Sequence, residues 1–177
     1  GAPLTHTFVD LGMSPLCESY LRADQLNRME PFYPLHVWVC DCCWLVQLEE
    51  YVSPEAIFTE YAYFSSYAES WLQHSRTYVE RMIERFELTA NSHVVEVASN
   101  DGYLLQYFVQ RGIPALGVEP AANVAKVAIE KGVPTRVEFF GVASAHRMAA
   151  EGLQADLIAA NNVLAQVTDL NDFVAGL

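Results

Sequence analysis

The sequence predicts an α/β fold in which helices cover a parallel sheet, preceded by a small β-rich module and a helical linker. In the second half of the chain, short apolar runs alternate with helical stretches four times. Gly112, Gly132 and Gly152 each stand just after a helical stretch, where a left-handed C-cap favours glycine. Strands that are joined by helices pair as parallel neighbours with both faces covered, so these observations predict a doubly wound sheet.

The small module is predicted for residues 1–54, which contain all four cysteines. Within it, residues 35–39 and 45–48 alternate well enough to be strands. Helical character begins at Ser53, where Ser-Pro-Glu-Ala places a capping serine before proline, and extends to about Leu88, so residues 55–90 are predicted to form a helical linker. An apolar stripe at helical spacing is expected to face the core; its members are Trp71, Tyr78, Met82, Ile83 and Phe86.

The sheet domain is predicted for residues 91–177, with strands and helices in a βαβαβαβα order. The predicted strands are residues 93–97, 115–118, 135–139 and 155–160, and the predicted helices are residues 103–111, 121–131, 143–151 and 170 onward. The chain enters without a start signal and ends inside a predicted helix. We therefore expect it to be a fragment of a longer protein, cut at both ends.

The composition excludes some classes of protein. The formal net charge is −12, and the ten Lys and Arg residues are scattered along the chain. Nucleic-acid binding requires clustered basic residues, so we expect no nucleic-acid partner. No apolar stretch is long enough to span a bilayer, and the N-terminus lacks the pattern of a secretion signal. These features predict a cytoplasmic protein with no membrane partner.

The turn between the first predicted strand and helix of the sheet domain, residues 96–102, is the expected ligand cradle. A dinucleotide would require Gly-x-Gly-x-x-Gly there, because a pyrophosphate must approach the backbone closely. This turn has a single glycine, Gly102, which argues against a bound phosphate. Its polar residues Glu96, Asn100 and Asp101 offer acceptors that suit a ligand with a cationic amine or sulfonium.

A further carboxylate, that of Glu119, follows the next predicted strand. In parallel sheets an acid at this point accepts hydrogen bonds from ribose hydroxyls. A ribose acid without a phosphate loop indicates S-adenosylmethionine. Each feature is common by itself, but the two in this order favour a nucleoside-type ligand over an empty scaffold.

Several segments of the chain carry a resemblance to a known family. In the sheet domain they are residues 96–105 (EVASNDGYLL), 117–125 (GVEPAANVA), 138–140 (EFF) and 161–167 (NNVLAQV). Before it they are residues 10–16 (DLGMSPL), 33–35 (YPL), 40–43 (CDCC), 45–48 (LVQL) and 61–66 (YAYFSS). Together they resemble the S-adenosylmethionine-dependent C-methyltransferases that modify nucleotide-linked deoxysugars. The resemblance implies a class I methyltransferase (Rossmann-like) fold after a zinc-binding module.

The resemblance also implies roles for particular residues. Asp101, Gly102 and Glu119 are the expected cofactor contacts, in a pocket that Glu96, Ser99, Asn100 and Pro120 shape. Phe139 and Phe140 are expected to flank the adenine, although they also suit an ordinary strand end. Tyr63, Asn162 and Gln166 are the substrate-side candidates; Tyr63 and Gln166 are the catalytic candidates within this chain, and Asn162 is also a candidate cofactor contact. Tyr63 would hold an oxygen of the sugar or would only pack between domains, and these two possibilities stay open.

The acid/base chemistry is expected to lie largely outside this chain. The resemblance implies that the main base, in a Tyr-x-Glu-His motif, follows Leu177. Relatives often have histidine where this sequence has Gln166, and an amide does not titrate near neutrality. Gln166 is therefore expected to orient the substrate. Two alternatives remain: a methyltransferase for another small metabolite, and a non-catalytic fragment that binds S-adenosylmethionine.

Cys40 and Cys43 are the predicted zinc ligands, because thiolates at this spacing can hold one tetrahedral Zn²⁺ from a tight turn. The resemblance implies that another Cys pair precedes the first residue of this chain. Cys17 is expected to pack rather than to bind metal. A redox pair would require a thioredoxin-like context that the sequence around Cys40 lacks.

Overall fold

A computed structural model describes residues 2–177 of the chain. The chain forms two compact units, of which the first ends at Ile57 and the second is Phe58–Leu177. Residues 55–90, which the sequence assigns to a linker, are thus divided between the two units. Within residues 2–177, no helix combines the length and the apolar character needed to cross a membrane.

The first unit contains an antiparallel sheet of three strands: β1 (His6–Pro15), β2 (Phe32–Val39) and β3 (Val46–Leu48), in the order β1-β2-β3. Strands β2 and β3 confirm the strands predicted at 35–39 and 45–48. Strand β1 was not expected. Its pairing register shifts between Asp10 and Met13, where Gly12 has φ of 80°, and this irregularity breaks the alternation that identifies a strand in sequence.

The helical stretch expected from Ser53 to Leu88 is interrupted. Helix α1 (Pro54–Phe58) is short, residues 59–68 contain one 3₁₀ turn at Ser65–Tyr67, and helix α2 (Glu69–Phe86) follows. The prediction of helix over residues 59–68 is wrong, because side chains from distant parts of the second unit bind the backbone there, as described below. Along α2, Tyr78, Met82 and Ile83 pack on the core as expected. Trp71 and Phe86 are 38% and 48% exposed and do not belong to that stripe.

The second unit confirms the predicted α/β fold. Its strands β4 (Val94–Val97), β5 (Ala115–Val118), β6 (Thr135–Arg136) and β7 (Leu157–Ala159) are all parallel, in the order β6-β5-β4-β7. Its further helices are α3 (Leu105–Gln110), α4 (Ala122–Glu130), α5 (Val142–Ala150) and α6 (Leu170–Gly176). Strand β6 is shorter than predicted, since residues 137–139 lie outside it.

The strand order places the first strand of this sheet, β4, in the interior. The chain runs outward from β4 to β5 and β6, and then crosses back to place β7 on the other side of β4. Open parallel sheets bind ligands at the carboxyl ends of their strands, where the order reverses in this way. The turn that follows β4 is therefore in the position where a ligand is expected.

The core lies on both faces of the parallel sheet. Val94 belongs to a cluster that includes α3 and the inner side of α2, whereas Val95 packs with Leu116 and Met148 in a second cluster. Neighbouring residues of a strand point to opposite faces, so helices cover both. The helix C-caps predicted at Gly112, Gly132 and Gly152 are confirmed by φ angles of 71°, 84° and 79°.

Candidate cofactor site

The turn after β4 has an unusual backbone. Ala98, Asn100 and Gly102 have φ angles of 57°, 49° and 76°, so alternate residues of the turn are left-handed. Only Gly102 adopts that conformation without a steric cost, and a Cβ on it would lie 3.1 Å from the Val133 side chain. At Ala98 and Asn100 the conformation costs about 1–2 kcal/mol each, so surrounding contacts must hold it in place.

Glu119 supplies one of these contacts. It follows β5, its residue is 5% exposed, and its two carboxylate oxygens accept hydrogen bonds from the Asn100 and Ala121 backbone N–H groups, both at 2.9 Å. Burial raises the pKa of Glu119, although these two hydrogen bonds favour the charged form. The acid predicted to bind ribose and the predicted ligand turn thus lie together.

Three polar atoms of β4 and the turn that follows it are buried and have no hydrogen-bond partner: Glu96 Oε2, Ser99 Oγ and Asp101 Oδ1. The three residues are 0%, 0% and 2% exposed. Elsewhere in residues 2–177, only Trp38 Nε1 is a buried side-chain polar atom without a hydrogen-bond partner. A buried polar atom without a partner costs about 1–3 kcal/mol, and a bound molecule that donates hydrogen bonds to these atoms would remove that cost.

Glu96 is the most strongly perturbed group of the site. Burial raises its pKa to about 8, and the nearby carboxylates of Glu119 and Asp101 add to this effect, while hydrogen bonds from Tyr103 and Asn161 oppose it. The Asn161 side-chain amide donates to Glu96 Oε1 at 3.3 Å. A cation beside Glu96 would favour its charged form and lower this pKa.

Sequence reasoning missed Tyr103 and Asn161 as neighbours of Glu96. Tyr103 is 4% exposed, and its ring stacks on Trp71 at 5.8 Å between centroids. Burial, together with the charge of Glu96, raises the pKa of the Tyr103 hydroxyl. A signal for Asn161 was present, because it closely follows β7 and β7 pairs with β4.

Residues 61–66, which we call the strap, bind to the turn after β4 through side chains. The Asn100 amide nitrogen donates to the Tyr63 carbonyl at 3.1 Å, and its oxygen accepts from the Ser65 N–H at 2.9 Å. Asn123, at the start of α4, makes the same kind of pair with Tyr61: the Tyr61 N–H donates to its oxygen at 3.0 Å, and its amide nitrogen donates to the Tyr61 carbonyl at 2.7 Å.

Asp101 is bound on one side only. Its Oδ2 lies 3.1 Å from Lys131 Nζ and accepts from the Ser66 N–H at 3.3 Å, and Lys131 also donates to the Ser66 hydroxyl at 2.8 Å. Sequence reasoning missed Lys131, because a lysine just past a helix end has no local signature of a buried partner. Asp101 was expected to contact the cofactor, and its unpartnered Oδ1 remains the atom suited to that role.

The other predicted residues lie around this centre with different degrees of exposure. Pro120 follows Glu119 directly and is half-buried. Phe140 packs edge-on against Phe173 of α6 at 5.5 Å between ring centroids, whereas Phe139 is 41% exposed. The two aromatic residues thus have different surroundings, and the exposed ring of Phe139 is the one more available to a ligand.

The substrate-side candidates are exposed. Tyr63 is 50% exposed, and its ring lies edge-on to that of Tyr61 at 6.4 Å. Asn162 has φ of 52°, and its carbonyl accepts from the Gln166 side-chain amide at 2.9 Å. Gln166 thus binds its own loop, and its side-chain oxygen is the group that could contact a substrate.

The cysteine turn belongs to the first unit. The Cys40 Sγ accepts hydrogen bonds from the Cys42 and Cys43 backbone N–H groups, and these lower its pKa. The Asp41 carboxylate raises the pKa of Cys42 instead. Cys40, Asp41 and Cys42 form a cluster whose ligand atoms lie within 4.8 Å of one another, and His6 Nε2 is 3.7 Å from Asp41. A thiolate at Cys40 suits Zn²⁺, so this cluster is compatible with the predicted metal, although the predicted ligand Cys43 is not part of the cluster.

Comparison with known proteins found similarity in both parts of the chain. Residues 1–58 match the protein family described as "Putative zinc binding domain". Over 169 residues the chain is 34% identical to the C-methyltransferase NovU of Streptomyces niveus, which covers 96% of this chain and 40% of that protein. The chain therefore spans less than half the length of this curated relative.

Solved structures similar to the chain include two bacterial proteins. The YcgJ protein of Bacillus subtilis is 19% identical over 59% of this chain and 44% of that chain, with a TM-score of 0.42. YjhP of E. coli is 13% identical over 60% of this chain and 35% of that chain, with a TM-score of 0.30.

Proposed function

We propose that the chain is part of a cytoplasmic S-adenosylmethionine-dependent methyltransferase that methylates a carbon of a nucleotide-activated keto-deoxysugar. The observation that carries the proposal is the group of three buried, unpartnered polar atoms in β4 and the turn after it, next to Glu119. A ligand with ribose hydroxyls and a cationic amino acid end would satisfy these atoms. The likeness to a C-methyltransferase supports the same conclusion.

The residues of the site fit this cofactor. Glu119 retains lone pairs for ribose hydroxyls after accepting two backbone hydrogen bonds. Glu96 Oε2 and Asp101 Oδ1 are the acceptors for the cationic end, beside Gly102, and Phe139 is the exposed aromatic residue for the adenine. When bound, S-adenosylmethionine supplies an activated methyl group on a sulfonium.

The acceptor of the methyl group is inferred from the resemblance. Methylation of a carbon beside a ketone requires a base that removes a carbon-bound proton and a donor that stabilises the enolate oxygen. Gln166 cannot be that base, because its amide does not titrate. The phenol of Tyr63 could donate to the enolate oxygen, and Asn162 and Gln166 could orient the sugar.

Zinc in the first unit completes the proposal. Cys40 and Cys43 would hold it together with ligands from outside this chain, and the ion would stabilise the fold of the module without taking part in catalysis. The family match over residues 1–58 supports this role.

Calorimetric titration with S-adenosylhomocysteine tests the cofactor. We expect one molecule to bind per chain, and we expect NAD under the same conditions not to bind. Binding of NAD in preference to S-adenosylhomocysteine, or of neither, would contradict the proposal.

A second assay tests the substrate class. Labelled S-adenosylmethionine is incubated with the protein that contains this chain and a nucleotide-linked keto-deoxysugar. Label should appear on a sugar carbon. Transfer only to oxygen or nitrogen of another metabolite would contradict the proposed substrate.

A further inference from the structure

The strap is held by side chains rather than by a helix or a sheet. The two carboxamides of Asn100 and Asn123 each use their oxygen to accept a strap N–H and their nitrogen to donate to a strap carbonyl. Four backbone groups of residues 61–65 are satisfied in this way. An asparagine that bonds to both polar groups of one residue, as Asn123 does with Tyr61, imitates the pairing of a neighbouring strand.

The same asparagine that binds the strap also belongs to the ligand turn. Asn100 donates its backbone N–H to the Glu119 carboxylate while its side chain bonds Tyr63 and Ser65. One residue therefore joins the acid proposed to bind ribose to the segment that carries Tyr63. Asn100 is 7% exposed and left-handed, so a shift of either partner would disturb the other.

We propose that Asn123, together with Asn100, is a positioning residue that holds the strap on the ligand turn, so that order in the strap and ligand occupancy of the turn are thermodynamically linked. The linkage rests on the proposed function. Its physical basis is that a ligand on Glu119 and Asp101 fixes the turn, and the fixed turn presents Asn100 and Asp101 to the strap. Tyr63, 50% exposed on the strap, is thereby held in one position beside the site.

Hydrogen exchange of the intact chain tests whether Asn100 and Asn123 hold the strap. Asn123→Ala removes both bonds to Tyr61, so the Tyr61 amide, and with it the Ser65 amide of the loosened strap, should exchange about tenfold faster or more, while the amides of α2 keep their rates. Asn123→Asp keeps the acceptor for the Tyr61 N–H but loses the donor, and should have an intermediate effect. Asn91→Ala, at an exposed asparagine in the turn before β4, is the matched control and should leave the strap unchanged.

Ligand binding tests the linkage. S-adenosylhomocysteine should slow exchange of the strap in the unsubstituted chain, and its affinity for Asn123→Ala should be about threefold to tenfold weaker, the range for one or two hydrogen bonds. The Asn91→Ala variant should bind it with unchanged affinity. Asn123 contacts the strap and is not among the residues proposed to touch the cofactor, so weaker binding would report the position of the strap.

The outcomes separate the two proposals. Equal exchange rates of the strap amides in Asn123→Ala and Asn91→Ala would show that Asn123 does not hold the strap, whether or not the ligand binds. Binding to the unsubstituted chain with no loss of affinity in Asn123→Ala would overturn the linkage and leave the proposed function intact. Failure of the unsubstituted chain to bind would contradict the proposed function and the linkage, while the exchange rates alone would still decide whether the asparagines hold the strap.

Discussion

At the scale of single residues, the site is governed by buried carboxylates and by what each already binds. Glu119 has two tasks, because its oxygens anchor Asn100 and Ala121 and are also the proposed acceptors for ribose. The left-handed backbone at Asn100 is one that asparagine tolerates better than most residues, and the hydrogen bond to Glu119 helps to hold it. A substitution at Glu119 therefore acts on the turn as well as on a ligand.

We expect Glu119→Ala to weaken binding of S-adenosylhomocysteine by at least about 1 kcal/mol, through lost charge-assisted hydrogen bonds and a loosened turn. Calorimetry measures the change. Glu130→Ala, at an exposed acid on α4, removes the same charge and should leave affinity unchanged. Unchanged affinity in Glu119→Ala, with the circular dichroism spectrum intact, would count against the assignment.

The raised pKa of Glu96 predicts that the stability of the fold depends on pH. Its pKa is raised to about 8 in the folded chain, above the value of 4.5 for an unperturbed glutamate, so the folded state binds the proton more tightly. This contribution to stability is complete below about pH 4.5 and is lost as the pH rises towards 8, with a slope of at most about 1.4 kcal/mol per pH unit.

Urea unfolding, followed by the helical signal at several pH values between 5 and 8, measures this slope. Glu96→Gln should flatten it, because the amide does not titrate. Glu130→Gln should keep the slope of the unsubstituted chain. Equal slopes in the Glu96→Gln variant and the unsubstituted chain would refute the assignment of the buried proton to this residue.

At the scale of elements, the residue after α4 fixes the turn after β4. Lys131 reaches Asp101, whose side chain is 2% exposed, whereas the lysine itself is 32% exposed. An ion pair that is buried on one side only is weaker than a fully buried one, but loss of the cation leaves the carboxylate uncompensated. Helix α4 thereby fixes the ligand turn at one end and, through Asn123, the strap at its own start.

We expect Lys131→Met to lower the free energy of unfolding by about 1–3 kcal/mol, because Asp101 then stays buried without its partner. Lys126→Met is the matched control: Lys126 is 75% exposed, and its pair with Glu130 spans 3.9 Å, so the expected change is below about 0.5 kcal/mol. Chemical denaturation measures both. A loss no larger in Lys131→Met than in Lys126→Met would contradict the role of this pair.

At the scale of the whole molecule, the chain is two units with different sources of stability. The second unit buries a core on both faces of its parallel sheet. The first unit contributes Cys40 alone to the buried apolar residues among those described. Small modules without a sufficient core commonly depend on a bound metal, which agrees with the cysteine turn at its edge.

In the protein that contains this chain, we expect Zn²⁺ to raise the thermal stability of the first unit, followed by the fluorescence of its tryptophans Trp38 and Trp44, because an ion that binds only the folded state stabilises it. Cys40→Ser and Cys43→Ser should each lower the bound zinc found by elemental analysis. Cys17→Ser, at an exposed cysteine away from the turn, should not. Equal zinc content in all three variants would contradict the assignment of the ligands.

Features that depend on neighbouring residues could be predicted from the sequence, whereas features that depend on residues far apart in the chain could not. The strands at 93–97 and 115–118 and the glycine caps were predictable, because apolar patterning and left-handed caps depend on neighbouring residues. Residues 59–68 were predicted to be helical and are not. Their partners Asn100 and Asn123 lie 35 to 62 positions away, and no local pattern marks that pairing.

For the second unit, the sequence by itself determined the order of strands and helices from β4 onward, the parallel sheet, and the turn and acid at its edge, because short-range periodicity and strand connection rules fix these. Only the tertiary structure decided which polar atoms of that turn are left without partners, that Tyr103 and Asn161 surround Glu96, and that a strap is bound across Asn100 and Asn123. The physical reason is that burial and hydrogen-bond partnership depend on residues brought together from distant parts of the chain.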